Sequence, residues 1–454
     1  MNYQKFWFLI FIGCASIHSC NQMEFKKEIQ LTRDLTYNHD LDNNDNFSPD
    51  DQWLVYDTRT ELGGIGGNGT IEKVHVVTGE KKVLYHIPEN KVYGPGVGAV
   101  SYSHTENQVA FIHGLLNCSE TSPYQQWRRS GVIIDENRPE VPIFMDARDV
   151  EAPFTVGALR GGTHRHEWSG DGKFIGFTYN DAIMKQLEDS TGSIHNLRTI
   201  GVSKRNSPVV VENENAENFS GEWFSVLVVN VVPEPTPGSD EISRAARDSW
   251  VGHNGYLKKN GKRQRARAFI GTVKNSTGES VDEVFLVDIP EDITQPNENS
   301  FLEGTATNLP APPKGANQRR LTFTSESERP GCEGIVRSSN DGSLLAFLAY
   351  DKNHVKQVYA ISPLGGEPQQ LTFHKNDVLS GVRWHPNRQE IIYVQNNSIH
   401  RKKIDAQESE VLTQPTNDAP TNLVWSHDGK TIAYNRMVKN AEGEKTKQIF
   451  LINV

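Results

Sequence analysis

Cysteine is scarce in the 454-residue sequence: of its four, only Cys118 and Cys332 stand beyond the first twenty positions. That excludes a disulfide framework and would allow one bridge at most in an oxidising compartment. Positive charge is also short, with 47 Lys and Arg against 57 Asp and Glu and a formal net charge of −10. This balance argues against whole-surface binding to nucleic acid or anionic lipid, though not against a local basic cleft. The apolar run at 6–13 is too short to span a bilayer. There is no Gly-x-Ser-x-Gly elbow, so a nucleophilic hydrolase of that type is set aside.

At 36% hydrophobic and 23% charged, with 37 glycines and 8 tryptophans, the composition is that of a globular chain with a sizeable core. "MNYQKFWFLIFIGCASIHSC" has a lysine, a short apolar run and small residues before Cys20. That order is expected for a lipoprotein-type signal over 1–19, with Cys20 the lipidated first residue of the mature chain. Cutting at "FIGC", before Cys14, would fall inside the apolar run, and simple secretion with Cys20 unmodified is the plainer alternative. The expected location is the cell envelope, periplasmic or surface-exposed, with the membrane touched only through the lipid.

Six stretches share one pattern: "NFSPDDQWLVYDT", "SYSHTENQVAFIH", "EWSGDGKFIGFTY", "RSSNDGSLLAFLA", "RWHPNRQEIIYVQ" and "VWSHDGKTIAYNR". Each reads strand, tight turn, strand. Most are followed by a second strand-turn-strand piece such as "VYAISPLGGEPQQLTF". Four-stranded units recurring in this way are the mark of an all-β propeller. A seventh, irregular unit is expected in 200–315, with "WFSVLVVNVV", "RARAFIGTV" and "DEVFLVDIP" as its strands and "SDEISRAARDSW" as a short helix. The orphan strand "EIQLT" at 28–32 would supply the strand that "KQIFLINV" lacks, closing a seven-bladed ring. Residues 20–454 then form one domain, with long inserts at about 233–267 and 290–318.

Aligned on the turn, Trp168 matches Phe47, Tyr102, Ser338, Trp384 and Trp425, a position expected to pack between blades. His164 and His166 are two apart on an inner strand and are expected to share the face towards the axial channel. They form either a transition-metal half-site or two channel histidines bonded to backbone or water. Asp240, Glu241, His253 or Cys332 could complete a metal set, with zinc the expected ion. His113 and Tyr179 fall at equivalent ends of second strands in consecutive blades, with Arg128, Arg129, Arg160, Arg165 and Arg198 close in sequence. A mouth with His, Tyr and several Arg suits an acidic substrate and proton transfer; solvated arginines and a satisfied buried tyrosine are the plainer reading.

"LRGGTHRHEWSGDGKFIGFTYND", "EPTPGSDEISRA", "LPAPPKGANQRRLTFT" and "SPLGGEPQQLTFHKND" resemble a widespread bacterial family of propeller proteins. That family looks related to the ulvan lyases of polysaccharide lyase family 25. The resemblance implies a lyase, acting as a monomer, that cleaves a sulfated, uronate-containing glycan by β-elimination and holds one structural metal ion. It also implies Tyr179, His113 and Arg198 as catalytic residues; Arg128, Arg129, Arg160 and Arg165, close by in sequence, are expected to bind the substrate. The family's second histidine has no match here; Trp127, Arg128 and Arg129 stand in that stretch. In such a reaction an arginine would neutralise the uronate carboxylate and a tyrosine with lowered pKa would move the proton. The runner-up is a non-catalytic envelope propeller that binds glycan or protein partners.

Overall fold

The hairpin turns are built from their own polar side chains. In blade 3 the Ser169 hydroxyl donates to Asp171 (2.7 Å) and accepts from the Phe174 amide (3.0 Å), while Asp171 accepts from the Lys173 amide. The Ser339–Asp341 and Ser426–Asp428 turns repeat this lattice. Such local bonds set the two-strand register before any tertiary contact exists.

The computed structural model describes residues 25–59, 64–87, 92–325 and 327–454; the expected signal segment and Cys20 lie outside the described residues. Seven four-stranded antiparallel sheets stand around an axis. In blade 3 the strands, from the axis outward, are Gly161–Trp168, Phe174–Asp181, Thr199–Lys204 and Phe224–Leu227. Inner strands run from one mouth of the channel, here called upper, to the lower mouth where the hairpin turns lie. The core is divided into apolar layers between neighbouring blades, such as Phe174, Trp250, Phe269 and Phe285 between blades 3 and 4. Indoles lock blade to blade: Trp250 Nε1 donates to the Glu167 carbonyl and Trp384 Nε1 to the Arg337 carbonyl, both at 2.8 Å.

The irregular blade differs from the sequence expectation in two ways. Phe224–Leu227 completes blade 3 rather than opening blade 4. The stretch expected as a helix contains the strand Arg244–Trp250, the inner strand of blade 4. Ala245 and Ala246 are buried there and Trp250 reaches across to blade 3, so tertiary packing overrides a weak helix signal. The one helix longer than a turn among the described residues, Ala182–Thr191, leaves blade 3 at the upper mouth with Asp181 as its N-cap.

The ring closes as the orphan strand suggested. Ile29 pairs with Leu451 and Gln30 with Phe450, and the Leu31 amide donates to the Ile449 carbonyl. Glu28 adds a hydrogen bond from Tyr434 and an ion pair with Arg436 (2.6 Å). A chain beginning at Arg33 is expected to unfold at clearly lower temperature and to aggregate, because the Lys445–Asn453 edge is then bare. Calorimetry and light scattering check this; an unchanged midpoint would remove the closing role of 28–32.

A bulge interrupts the inner strand in five blades, and in four of them the residue three before the aligned aromatic position is left-handed: Ala99, Arg165, Arg247 and Asn422. This places an extra residue at the channel wall and breaks the two-residue alternation. Cys118 and Cys332 are both free thiols, so the single bridge the sequence would have allowed is not made.

Candidate functional site

Blades 2, 3 and 4 meet at the upper mouth. Arg129 opens the third strand of blade 2, and its Nη1 donates to Nδ1 of His164 on the inner strand of blade 3 (2.9 Å). Its guanidinium lies over the Tyr124 ring, 4.8 Å from the centroid, and its Nε is buried without a partner. Arg198, entering the third strand of blade 3, donates to Asn180 (3.1 Å) and Gln126 (3.2 Å). Arg244, exposed at the start of blade 4, faces Arg198 closely enough to repel it. Arg129, Arg165, Arg198 and Arg244 have no ion-pair partner among the described residues.

Electrostatics follow from this crowding. Burial, with Arg129 and Arg244 adding to it, pulls Arg198 down to about 10. Burial and then Arg129, Arg198, Arg165 and His166 hold His164 well below its ordinary value, so it is neutral at pH 7. Because Arg129 only donates, His164 Nδ1 is the acceptor and its proton sits on Nε2.

Elsewhere around the upper mouth the buried and half-buried cations at the strand ends of blades 1, 5 and 7 are matched, and exposed Lys352, Lys375 and Lys439 face solvent. Arg59 pairs with Asp57 (2.7 Å) and Asp42 (3.1 Å), Lys447 with Asp40 (2.7 Å), and Lys356 with Glu333 (2.6 Å). The unmatched cluster is therefore local to blades 2–4, in a chain whose net charge is negative.

The structure separates the residues that the sequence grouped. Tyr179 is fully buried among Leu159, Phe177 and Leu227. Its hydroxyl donates to Asp181 (2.9 Å) and accepts from the Arg160 amide (3.1 Å). Burial, and then the Asp181 charge, pushes its pKa well above the ordinary value, opposite to the lowering expected beside arginines. His113 is fully buried between blades 1 and 2, accepting at Nε2 from the Tyr85 hydroxyl (2.9 Å) and donating at Nδ1 to the Gly114 carbonyl. None of Tyr179, His113 and Arg198 bonds another, and Tyr179 and His113 are closed to solvent, so the three do not line one substrate-accessible pocket.

Of the four expected substrate arginines, two are committed. Arg128 pairs with Glu217, which also holds Arg148. Arg160 is fully buried against Asp181 (3.0 Å) and donates to the Thr305 and Asn308 carbonyls, tying down the 289–316 insert. Arg129 and Arg165 remain unmatched.

His164 and His166 do not share a face, because the left-handed Arg165 sits in a bulge between them. His166 turns between blades 2 and 3, its Nε2 on Thr163 (2.9 Å), and burial lowers it to about 3. Cys332 lies in blade 5 against Thr322 and Glu283. Asp240 and Glu241 are exposed on the loop before blade 4, and His253 belongs to the lower mouth. These residues do not fit a divalent ion: a guanidinium occupies the His164 lone pair, and no group of three His, Cys, Asp or Glu among the described residues closes around one point. Sequence reasoning missed Gln126, Asn180 and Arg244, which carry no motif.

A family described as "Protein of unknown function (DUF3748)" matches residues 96–219, the stretch that carries Arg129, His164 and Arg198. The chain is 38% identical over 405 residues to "Uncharacterized protein YidR" of Escherichia coli (strain K12), covering 87% of this chain and 92% of that protein. Among solved structures it is similar to the polysaccharide lyase Uly1, with TM-score 0.50 and 8% identity over 95% of this chain and 100% of that one; this shows the fold alone. A prolyl endopeptidase structure matches with TM-score 0.47 and 12% identity over 92% of this chain, which spans half of that protein's length.

Proposed function

The chain belongs to the same family as Escherichia coli YidR, and from the chemistry of its upper mouth we propose that it binds an anionic, uronate- or sulfate-bearing glycan there. One observation carries the reading: Arg129, Arg165, Arg198 and Arg244 have no ion-pair partner among the described residues, while Arg59, Lys356 and Lys447 around the same mouth are paired. Holding unmatched guanidiniums partly buried is unfavourable in the free protein and becomes favourable when an anion arrives. Arg129 and Arg198 supply the forks, and the Nε2–H of His164 adds a neutral donor. Export with a lipid on Cys20 would set this mouth among envelope or extracellular glycans.

A second reading, β-elimination, is favoured by the state of His164. It is neutral, and its one lone pair is held by Arg129 alone. A substrate carboxylate that draws Arg129 away frees that lone pair. His164 Nδ1 then takes the C5 proton, electrons form the C4–C5 double bond, the C4–O4 bond breaks, and O4 takes a proton from water. His164 thus replaces the sealed Tyr179 and His113 as the proton acceptor.

The test is incubation with ulvan, glycosaminoglycans and pectic fragments, following both binding and the ultraviolet absorbance of the unsaturated uronate. Saturable binding that weakens with salt is the expected result. Rising absorbance establishes the lyase; binding without absorbance leaves a glycan-binding propeller. No binding to any of these polyanions overturns the proposal.

A further inference from the structure

The lower mouth carries its own chemistry. The seven inner strands end around a cavity of about 380 Å³ lined by Asp45, His104, His253, Arg337, Arg383 and His427. Four imidazoles line it: His385 packs edge-on against Trp425, and the other three, from three blades, meet, the His104 ring lying 5.8 Å from that of His253 and 5.9 Å from that of His427. His104 and His427 occupy the same repeat position, after Ser103 and Ser426.

Beneath the imidazoles lie two guanidiniums that the protein leaves short of acceptors. Arg383 donates from Nε to the Leu423 carbonyl (2.7 Å), and its terminal nitrogens have no partner among the described residues. It has no carboxylate of its own, and burial, then Arg337 and Arg165, pulls its pKa well below the ordinary value. Arg337 reaches only one oxygen of Glu167, at 3.4 Å, and its Nε is buried and unpaired. Glu167 is already engaged by Arg267 at 2.9 Å. Arg165, also unmatched, acts on both guanidiniums from above.

We propose that this lower cavity binds a small oxyanion (carboxylate, sulfate or phosphate), with Arg383 and Arg337 as its anchors and His104, His253 and His427 as donors at its rim. The proposal does not rest on the upper-mouth reading. A guanidinium with two free donors inside a cavity, next to a second that shares its carboxylate, is satisfied by an oxyanion and by nothing the chain supplies. The carboxylates near the cavity are taken: Asp45 faces His104 at 3.5 Å, Asp51 accepts from His427 Nδ1 at 2.8 Å, Glu167 is shared as described, and Asp171 is held by Arg265 at 2.7 Å. Burial works against protonation of His104, but Asp45 and Glu167 outweigh it and raise its pKa, whereas burial and His104 lower that of His253. Protonation of His104 adds charge and a donor beside the two guanidiniums, so affinity rises as pH falls.

The experiment titrates the whole protein with inorganic sulfate, inorganic phosphate and glucuronate at pH 5.5 and pH 8, reading heat and the histidine ring resonances. The expected result is saturable binding that shifts the His104 and His427 resonances and is tighter at pH 5.5. Arg383→Gln weakens it about tenfold or more, Arg383→Lys weakens it less, and Arg129→Gln at the upper mouth leaves it unchanged. The three probes separate a free phosphate or sulfate from a sugar carboxylate as the source of the anion. Histidine shifts that persist with unchanged affinity in Arg383→Gln would overturn the proposal, as would zinc uptake lost in His104→Ala without any anion binding.

Discussion

Replacing Asp181 by alanine costs about 3–5 kcal/mol of stability, because it leaves a fully buried guanidinium without its counter-charge. Asp181 and Arg160 are both inaccessible to solvent and lie 3.0 Å apart. The same carboxylate accepts the Tyr179 hydroxyl (2.9 Å) and caps the helix Ala182–Thr191 through the Met184 amide (2.9 Å). One substitution thus orphans a charge, a hydroxyl and a helix N-terminus together. The cap alone is worth about 1 kcal/mol. Arg160 also holds the insert through Thr305 and Asn308, so protease sensitivity within 289–316 should rise in parallel. Asp181→Asn keeps the acceptor and loses the charge, and should fall between the two. Chemical denaturation measures the loss; an Asp181→Ala protein within about 1 kcal/mol of wild type would mean that the pair is not the anchor of blade 3.

Arg129→Gln and Arg198→Gln should each weaken binding of an anionic glycan about tenfold, and together about a hundredfold if the contacts add. The reason is the absence of competing carboxylates: to face the ligand Arg129 gives up only a neutral imidazole and Arg198 only two neutral amides. Weaker binding should come with a shallower salt dependence, since each variant removes one neutralised charge. The same variants should not lower the unfolding midpoint, because each removes a partly buried charge that has no ion-pair partner. A loss of affinity with unchanged stability separates a ligand role from a structural one. Arg128→Gln is the opposite case, since Glu217 would lose a partner and stability should fall. Binding that is indifferent to Arg129 and Arg198 would remove the upper mouth from the proposed function.

Tyr179 pairs with Thr199, next to Arg198, yet its side chain bonds elsewhere, so strand equivalence alone does not build a site. Equivalent strand ends do lie at the same mouth, but a side chain there can point along the strand into the blade. His113 and Tyr179 both turn inward, where Tyr85 and Asp181 receive them. Arg198 keeps to the mouth because Asn180 and Gln126, both neutral, are what it meets.

The sequence by itself determined the seven-fold repeat, the closing strand and the blade-locking aromatics. Those features rest on alternation, turn chemistry and spacing, which are local and repeat along the chain. It also placed Arg129, Arg165 and Arg198, though not Arg244, among the candidate binding residues. Only the tertiary structure decided which of those arginines are free, since the acid that neutralises Arg128 lies 89 residues further on. Tertiary structure alone set the bulge at Arg165, which undoes the shared face of His164 and His166, because one left-handed residue leaves no mark in composition or period. It also made Arg244–Trp250 a strand, as burial of two alanines and one indole outweighs a few tenths of a kcal/mol of helix propensity per residue. The histidines of the lower mouth come from four different blades, and no linear pattern brings His253 and His427 each within 6 Å of His104; the closure of the ring does.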